Sequence, residues 1–507
     1  MKIKTLLIFI FIGYSLYLNS QVFNNRYIID QTAVIFRQIV QTEDTIITMG
    51  LGSTFYAPYP GKLMFTKLNQ EGEVLSYDLV MGDSLTHYFP LSSSSLDRKI
   101  LAVGGAGGSF ANESGFYALY DLDNGLEWIK QYYPPSGMQF FFRNCLYLED
   151  RIYLLAGQND PGIGGFFTKL ICTDLLGDIL WEKDFDDNNF SFTPSVITLN
   201  QDSNLYIGMV KVDEPFNQSI GNIKSLIYEL DLDGNIIAEW LNDENKTYEP
   251  EQIIEVSDSS LLFVGRYFTG YNDNNSLLWQ GYICKVDSLN NKDWVLKTGK
   301  PTVRTDMNNL IVAMDGNYIA IGVTFDSLSS SQVATESGHI IKFNIDGDML
   351  WERRHYAIAT GSEYNKLYDI VELADSSLLL CGQSVDLLGD FPQQGWLLKL
   401  DKHGCLVPGC HLDTSTENPL SIIQATVKIY PNPTRDYLNV YYKSKREKRE
   451  GIFRLVDMQG TVILSFIATQ NDTTYMIDLE KYSSGIYFLQ YLENGQLSQT
   501  EKIIIQK

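Results

Sequence analysis

The chain has 507 residues, of which 44% are hydrophobic; this excludes a disordered chain and predicts two or three folded domains. Its 31 Tyr, 26 Phe and 39 Gly favour β-structure. The net charge is −23. Residues 427–507 contribute +2, and Lys2 and Lys4 contribute two more positive charges, so residues 21–426 carry −27. Such an acidic region repels nucleic acid phosphates and anionic lipid, so neither is favoured as a partner.

The first twenty residues (1–20) have the pattern of a signal peptide. A basic start precedes an apolar run from Leu6 to Leu18 and a small residue, Ser20, at a suitable cleavage point. The run is shorter than the ~20 residues that span a bilayer. We therefore expect an exported protein with no transmembrane segment in the mature chain.

A repeated unit occupies residues 31–410. A Gly that ends the first apolar run of each unit recurs at spacings of 51 to 60 residues, at Gly50, Gly104, Gly157, Gly208, Gly265, Gly322 and Gly382. A tight polar turn recurs at spacings of 52 to 57 residues, at Gly72, Gly125, Gly177, Gly234, Asn291, Gly347 and Gly404. Two landmarks with the same period and the same count predict seven similar units.

Each unit has the pattern of four short strands joined by polar hairpin turns. Four antiparallel strands every ~50 residues are typical of a propeller blade. The sequence therefore predicts an all-β chain with a seven-bladed β-propeller over residues 21–410. The last unit contains Pro408, which cannot donate to a strand ladder. We expect Val22–Asp30 to pair into the seventh blade near residues 395–410 and close the ring.

A Trp follows the turn in five units, where we expect it to pack against the neighbouring blade. These residues are Trp128, Trp181, Trp240, Trp294 and Trp351. The turn and Trp of Asp121–Trp128 resemble those of quinoprotein-type propellers. That resemblance covers the blades alone and implies packing rather than chemistry.

The cysteines predict one disulfide. Cys405 and Cys410 flank a Leu-Val-Pro-Gly turn that brings them together, and disulfides persist outside the cytosol. The other four cysteines lie in apolar β-type runs and are expected to be buried thiols. No Cys-x-x-Cys or His/Cys cluster indicates a metal site.

After a Thr-, Ser- and Asn-rich linker at 411–426, the repeat stops and seven strand-like runs follow within 427–507. This pattern predicts a small immunoglobulin-like β-sandwich. Its motifs are Val427-Lys-Ile-Tyr-Pro-Asn-Pro433, Leu455-Val-Asp-Met-Gln-Gly460, Ser484-Gly-Ile-Tyr-Phe488 and Lys502-Ile-Ile-Ile-Gln-Lys507.

In order and placement, these motifs resemble the type A sorting domain of the type IX secretion system. The resemblance implies passage through the periplasm and export across the outer membrane of Bacteroidetes-type bacteria. It further implies removal of the domain by a sorting peptidase, then release or attachment to surface lipopolysaccharide. The motif residues are Pro431, Asn432, Pro433, Asp457, Gly460, Gly485, Tyr487 and Lys502.

No catalytic, cofactor-binding or metal-binding residue is predicted. Hydrolase, metalloprotease, P-loop and dinucleotide fingerprints are missing, and the five histidines do not cluster. Asp123–Trp128 resembles the Asp-box turn of sialidase propellers, yet no arginine triad or Tyr/Glu pair can be assembled. Asp184–Asn189 and Tyr271–Asn275 are candidate calcium loops, although they lack the ligand set of a full loop.

The leading hypothesis is a secreted or surface-exposed, non-catalytic binding propeller with a glycan or protein ligand. The ligand is expected at the central channel or at the insertions Thr324–Ser337, Ala106–Ser114 and Tyr267–Leu278. Two alternatives stay open. A hydrolase acting on extracellular glycans or peptides predicts carboxylates of perturbed pKa, or a Tyr/Arg group, at the channel mouth. The other alternative is a structural or adhesive surface protein.

Overall fold

The computed structural model divides the chain into two compact units, residues 1–412 and 413–507. It describes residues 22–29, 32–42, 44–54, 61–80, 86–107, 113–135, 138–160, 165–185, 191–212, 223–241, 247–256, 259–271, 277–287, 291–328, 334–358, 363–386, 393–407, 409–412, 425–444, 451–458, 461–468, 473–493 and 496–507. The elements within these ranges are strands, apart from one 3-10 turn at Cys410–Leu412. The predicted all-β class is therefore confirmed. No helix in the described part of the chain has the length and hydropathy needed to cross a membrane.

The first unit begins with β1 (Phe23–Tyr27), and its described strands form seven antiparallel sheets of four strands each. Sheet 1 comprises β2 (Thr32–Gln41), β3 (Ile46–Thr54), β4 (Gly61–Leu68) and β5 (Val74–Val80). Sheet 2 comprises β6 (His87–Leu96), β7 (Lys99–Gly107), β8 (Ser114–Asp121) and β9 (Gly125–Tyr132). Sheet 3 comprises β10 (Gln139–Tyr147), β11 (Ile152–Asp160), β12 (Gly165–Thr173) and β13 (Ile179–Phe185).

The next three sheets repeat this arrangement in chain order. Sheet 4 comprises β14 (Ser191–Leu199), β15 (Leu205–Val212), β16 (Ile223–Leu230) and β17 (Ile236–Leu241). Sheet 5 comprises β18 (Thr247–Glu255), β19 (Leu261–Tyr271), β20 (Leu277–Val286) and β21 (Lys292–Thr298). Sheet 6 comprises β22 (Thr305–Val312), β23 (Tyr318–Leu328), β24 (Ala334–Phe343) and β25 (Met349–His355).

Sheet 7 combines both ends of the unit. It contains β26 (Glu363–Glu372), β27 (Leu378–Asp386) and β28 (Gln393–Leu400), and β1 supplies its fourth strand. β1 runs antiparallel to β28, with Phe23 opposite Lys399 and Tyr27 opposite Gly395. The predicted pairing of the N-terminal strand with the last unit is confirmed, and it covers an edge of β28 that would otherwise have unpaired backbone groups.

Each sheet packs against the next, and sheet 7 packs against sheet 1. Seven hydrophobic clusters lie between consecutive sheets. The cluster between sheets 7 and 1 includes Phe23, Phe36 and Cys381, all buried. One sheet alone cannot bury both of its apolar faces, so stacking supplies the burial that stabilises the unit. The order of the sheets is cyclic.

The repeated Gly of each unit lies opposite an irregularity in the first strand. In sheet 1 the pairing shifts between Phe36 and Gln38, which leaves Arg37 as an extra, bulged residue facing Gly50. A Cβ at Gly50 would stand 1.8 Å from the Ile35 carbonyl oxygen, so no larger residue fits. All seven sheets have such a shift in their first strand.

The tryptophan that follows a turn packs against the turn of the next sheet. Trp294 donates from Nε1 to the carbonyl oxygen of Ile345, 2.9 Å away, and a Cβ at Gly347 would lie 2.7 Å from the same indole. Trp128 with Gly177, Trp181 with Gly234, and Trp351 with Gly404 have the same relation. These turn glycines have φ between 71° and 85°, so they also meet the backbone requirement of the turn.

Trp240 departs from this pattern. In sheets 2, 3, 5 and 6 the Trp stands directly after a bulge in the outer strand, and Ala238 occupies that place in sheet 4. Trp240 lies two residues further on, on the same face because side chains alternate along a strand. It is 7% exposed and packs edge-on to Tyr206 between sheets 4 and 5. Trp240 therefore packs between two sheets from a position two residues beyond the one that the other four tryptophans occupy.

Sheet 1 has Ser76 at the position of the Trp. The turn glycine of sheet 2, Gly125, has no atom within 4 Å of an added Cβ. A cavity of about 570 Å³ lies between the two sheets, lined by Ser76, Tyr77, Tyr120 and Gly125 among others. Among the described residues, the contact between sheets 1 and 2 therefore lacks the Trp that packs against the turn of the next sheet in sheets 2, 3, 5 and 6.

The second unit has seven described strands in two sheets. The first sheet pairs β29 (Ala425–Tyr430), β30 (Tyr437–Ser444) and β33 (Thr473–Asp478). The second has the order β32 (Val462–Ala468), β31 (Gly451–Val456), β34 (Gly485–Glu493) and β35 (Gln496–Ile505). One cluster of buried residues, including Leu438 and Phe453, joins both sheets. The seven predicted strand runs correspond to these strands, and the division between units falls inside the predicted linker, most of which lies outside the described residues.

Candidate functional site

The first strands of neighbouring sheets contact one another all the way around the ring. They therefore enclose its centre, where a cavity of about 350 Å³ is lined by these strands and by part of β19. One residue at or next to each first-strand bulge reaches this cavity. These residues are Arg37, Leu91, Arg143, Ser195, Glu251, Asn308 and Tyr368.

The cavity lining is polar. Amide and hydroxyl side chains supply most of its remaining wall, namely Gln38, Ser92, Ser93, Ser94, Asn144, Thr198, Gln252 and Asn309. Its charged members are Arg37, Arg143, Arg266 and Glu251, so three guanidinium groups face one carboxylate. A cationic cavity within an acidic region concentrates positive potential where a ligand would enter.

Arg143 and Arg266 share the carboxylate of Glu251. Arg143 Nη2 lies 2.8 Å from Glu251 Oε2, and Arg266 Nη2 lies 3.2 Å from Oε1. Arg266 Nε also lies 3.2 Å from Asp306 Oδ1, and Arg304 Nη2 lies 3.0 Å from Asp306 Oδ2. The side chains of Glu251 and Asp306 are 10% and 4% exposed, so the carboxylates of these pairs are largely desolvated.

Arg37 has a different environment. Its guanidinium lies over the ring of Tyr368, 4.2 Å from the centroid. Its Nε is buried without a hydrogen-bond partner, and the same holds for Gln38 Oε1 and Ser195 Oγ in the described part of the chain. Ser195 is only 2% exposed. Unsatisfied buried polar atoms are uncommon in native proteins, and three around one cavity indicate that a ligand or solvent completes them.

Asp369 joins three sheets beside the cavity. Its Oδ2 accepts the Ile39 N–H of sheet 1 at 2.8 Å, and its Oδ1 accepts from Asn309 Nδ2 of sheet 6 at 2.7 Å. The neighbouring Ile370 N–H also donates to Oδ1, at 2.9 Å. Burial raises the pKa of Asp369 to about 7, although each hydrogen bond favours the carboxylate.

Glu336 is a second acid with a raised pKa. It is 3% exposed at the start of β24, and its Oε2 has no hydrogen bond, with Lys366 Nζ 3.7 Å away. Burial raises the pKa of Glu336 to about 7, while the charges of Lys366 and Arg304 oppose the shift and that of Asp306 adds to it. The carboxyl is thus poised to hold a proton near neutral pH.

The proline–asparagine–proline segment of the second unit holds the last strand. Asn432 Nδ2 donates to the Lys502 carbonyl at 2.6 Å, and the Ile504 N–H donates to Asn432 Oδ1 at 2.9 Å. The peptide bonds preceding Pro431 and Pro433 are both cis. The segment therefore clamps β35 through the side chain of Asn432 between two prolines.

The other motif residues lie at turns and strand starts. The Thr461 N–H donates to Asp457 Oδ1 at 2.8 Å across the turn after β31. Tyr487 donates its hydroxyl to the Ser483 carbonyl at 3.0 Å, near Gly485, which begins β34. Gly460 lies outside the described residues. These contacts shape the fold of the unit.

Cys405 and Cys410 form a disulfide, with Cα atoms 5.7 Å apart. Cys145, Cys172, Cys284 and Cys381 are free and buried. Asp401, Cys405 and His411 place potential metal-ligating atoms within 4.8 Å of one another. Because Cys405 is bonded to Cys410, it offers no thiolate to a metal ion.

The loops that the sequence favoured for ligand binding are only partly described. Residues 329–333, 108–112 and 272–276 lie outside the described residues, and so does most of the candidate calcium segment 184–189. Sequence reasoning missed the arginine and carboxylate groups of the cavity, where the ring brings Arg143 and Arg266 onto the carboxylate of Glu251. The sequence did contain a signal for the cavity. In every unit, the residue at the first-strand bulge that reaches the cavity precedes the repeated Gly by 13 or 14 positions.

Comparison with known proteins identifies the second unit. Residues 428–506 match the family described as the secretion system C-terminal sorting domain. The protein carries a sorting domain of the type IX secretion system and is secreted by this route to the cell surface or the extracellular space. No match was found among curated proteins.

Solved structures similar to this chain include β-propellers. The β-propeller domain of the Trilobed protease from Pyrococcus furiosus has 8% identity and a TM-score of 0.40, covering 77% of this chain and 100% of that domain. An ulvan polysaccharide lyase has 7% identity and a TM-score of 0.44, covering 74% and 96%. An α-L-arabinofuranosidase from Fusarium graminearum has 10% identity and a TM-score of 0.37, covering 74% and 98%. At these scores the similarity says nothing about what this chain binds.

Proposed function

We propose that the chain is a seven-bladed β-propeller binding protein, exported by an immunoglobulin-like sorting domain, with its ligand site in the central cavity. The cyclic order of the seven sheets supports the blade count. Two sheets around one core support the sandwich. The mature protein acts at the cell surface or outside the cell, where its ligand is a glycan or a protein.

One observation carries the binding proposal: three polar atoms around the cavity, on Arg37, Gln38 and Ser195, lack partners. A buried donor or acceptor left unsatisfied costs about 1–3 kcal/mol. A bound ligand that supplies the missing partners recovers this free energy, which favours binding in the cavity.

The test is an array of extracellular glycans and peptides probed with the full chain. We expect a ligand to bind the wild type and to lose at least ~10-fold in affinity in Leu91→Trp, which fills the cavity. Leu126→Trp is the matched control, because Leu126 is 40% exposed on an outer strand. Equal binding by Leu91→Trp, or a complete absence of ligands, contradicts a binding site in the cavity.

A glycan hydrolase is the second candidate, favoured by Glu336. A buried carboxyl whose raised pKa is due in part to the charge of nearby Asp306 has the character of a general acid with a second carboxyl group beside it. The test measures the release of reducing ends from polysaccharides. Release by the wild type that is lost in Glu336→Gln and kept in Asp346→Asn would establish a hydrolase. No release by a wild type that binds the same glycan leaves binding as the function.

A further inference from the structure

The charges around the cavity do not balance. Arg143, Arg266 and Arg304 are each within 3.2 Å of a carboxylate oxygen of Glu251 or Asp306. These five groups leave one positive charge, and Arg37 adds another with no carboxylate partner in the described chain. Asp369, buried nearby, retains its proton below about pH 7. The cavity therefore holds an excess of positive charge.

Arg37 has a hydrogen-bond donor to offer an anion. Its guanidinium carbon lies over Tyr368, 4.2 Å from the ring centroid, and the group carries five N–H donors. Nε is among these donors and has no acceptor. A planar guanidinium with free edge donors matches a carboxylate or a sulfate, which accepts two parallel hydrogen bonds.

An anion alone would leave part of the site unsatisfied. Gln38 Oε1 can only accept a hydrogen bond, and Ser195 Oγ can donate or accept. Carboxylate and sulfate oxygens are acceptors, so they cannot satisfy Gln38. A ligand that carries hydroxyl groups beside its anionic group offers a hydrogen-bond partner of the right kind to all three side chains. The cyclic order places Ser195 of sheet 4 on the side of the cavity opposite Arg37 of sheet 1.

We infer that the cavity binds an acidic saccharide, with its carboxylate or sulfate on Arg37 and its hydroxyl groups toward Gln38 and Ser195. This rests on the proposed function and names the ligand class for the same site. A cavity of about 350 Å³ with amide and hydroxyl walls accommodates a small polar sugar unit. Tyr368 contributes indirectly, because its ring packs against the Arg37 guanidinium that holds the acidic group.

The experiment is titration calorimetry of the full chain with four probes of similar size. These are a glucuronate disaccharide, a sulfated disaccharide, a neutral disaccharide and a dipeptide with a free carboxyl end. We expect one or both acidic sugars to bind at least ~10-fold more tightly than the neutral sugar and the dipeptide. The two acidic probes distinguish a carboxylate ligand from a sulfate ligand, and added salt should weaken their binding.

Arg37→Gln should reduce the affinity for the acidic sugar by about 10- to 100-fold, since it removes a charge-assisted hydrogen bond. Arg98→Gln is the matched control, because Arg98 is 56% exposed and pairs with Asp123 away from the cavity. Arg37→Lys keeps the charge without the planar edge and should give an intermediate loss. It also serves if Arg37→Gln fails to fold.

Three results would overturn the inference: neutral sugars bind as tightly as acidic ones, only the dipeptide binds, or both Arg37 variants bind like the wild type. If a neutral sugar binds as tightly as the acidic ones and Leu91→Trp abolishes that binding, the ligand need not be acidic. The proposed binding site in the cavity would still stand. If no probe binds and Leu91→Trp changes nothing on the array, both proposals fail.

Discussion

The two units of this protein solve the problem of burial in different ways. In residues 22–412, seven hydrophobic clusters lie between consecutive sheets, so the core is divided into repeated contacts around the ring. In the second unit, one cluster joins two sheets. A ring of this kind depends on its closure, since one open contact exposes two sheet faces. A two-sheet unit depends on how its last strand is held.

Trp396→Ala should produce the largest loss of stability, at the closure of the ring. Trp396 is fully buried, and its Nε1 donates to Asn24 Oδ1 of β1 at 2.7 Å. Truncation of a buried Trp costs about 3–5 kcal/mol. Scanning calorimetry of the full chain should show a lower transition for the first unit and an unchanged one for the second. Trp294→Ala, at a partly exposed Trp, should cost less. A shift of both transitions together would contradict separate cores.

The stability of the ring should fall as the pH rises from about 4 to about 7. Asp369 and Glu336 have ordinary pKa values of 3.8 and 4.5, and burial raises both to about 7. Between these values the unfolded chain releases protons that the folded chain retains, so each pH increment favours unfolding, by about 1.4 kcal/mol for each unit by which a pKa is raised. Above pH 7 the dependence ends, because the carboxyls are ionised in both states.

Urea denaturation at pH 5 and pH 8 measures this effect. Asp369→Asn should flatten the dependence, because the amide cannot ionise, and it should also lower the stability at pH 5 through the loss of one acceptor. Asp346→Asn, at an exposed turn, is the control and should leave the slope unchanged. A ring that gains stability between pH 5 and pH 8 would show that neither acid retains its proton on folding.

In the second unit, Asn432→Ala should cost about 1–3 kcal/mol, because it removes both side-chain hydrogen bonds to the backbone of β35. Asn432→Asp keeps an acceptor for the Ile504 N–H and loses the donor to Lys502, so its loss should be smaller. Calorimetry should assign the change to the transition of the second unit. Mass spectrometry of culture medium and outer-membrane fractions should then show reduced export. Normal stability of the alanine variant would mean that the asparagine clamp is dispensable.

The smallest expected effect is a gain. Ser76→Trp should raise the free energy of unfolding of the ring by about 1 kcal/mol, because it fills the cavity beside Gly125 with the residue that four other sheets have there. The reverse change, Trp294→Ser, should lower it. An unchanged or lower melting temperature for Ser76→Trp would mean that the cavity between sheets 1 and 2 is not shaped for an indole.

The sequence by itself determined the all-β class, the sevenfold period, the joining of the N-terminal strand to the last sheet and the sorting domain. Each of these depends on local rules: alternation along strands, glycine at turns, and motifs within one short segment. In sheet 4 the same local rules picked out Trp240, which lies two positions beyond the place after the bulge that the Trp occupies in four other sheets.

Only the tertiary structure decided the cavity. Arg143, Glu251 and Arg266 belong to two sheets of the ring, separated by up to 123 positions in the chain. Closure of the ring brings them within hydrogen-bond distance, and nothing in their local sequence marks them as partners. The raised pKa values of Asp369 and Glu336 have the same origin, because desolvation depends on what other sheets place around a carboxyl.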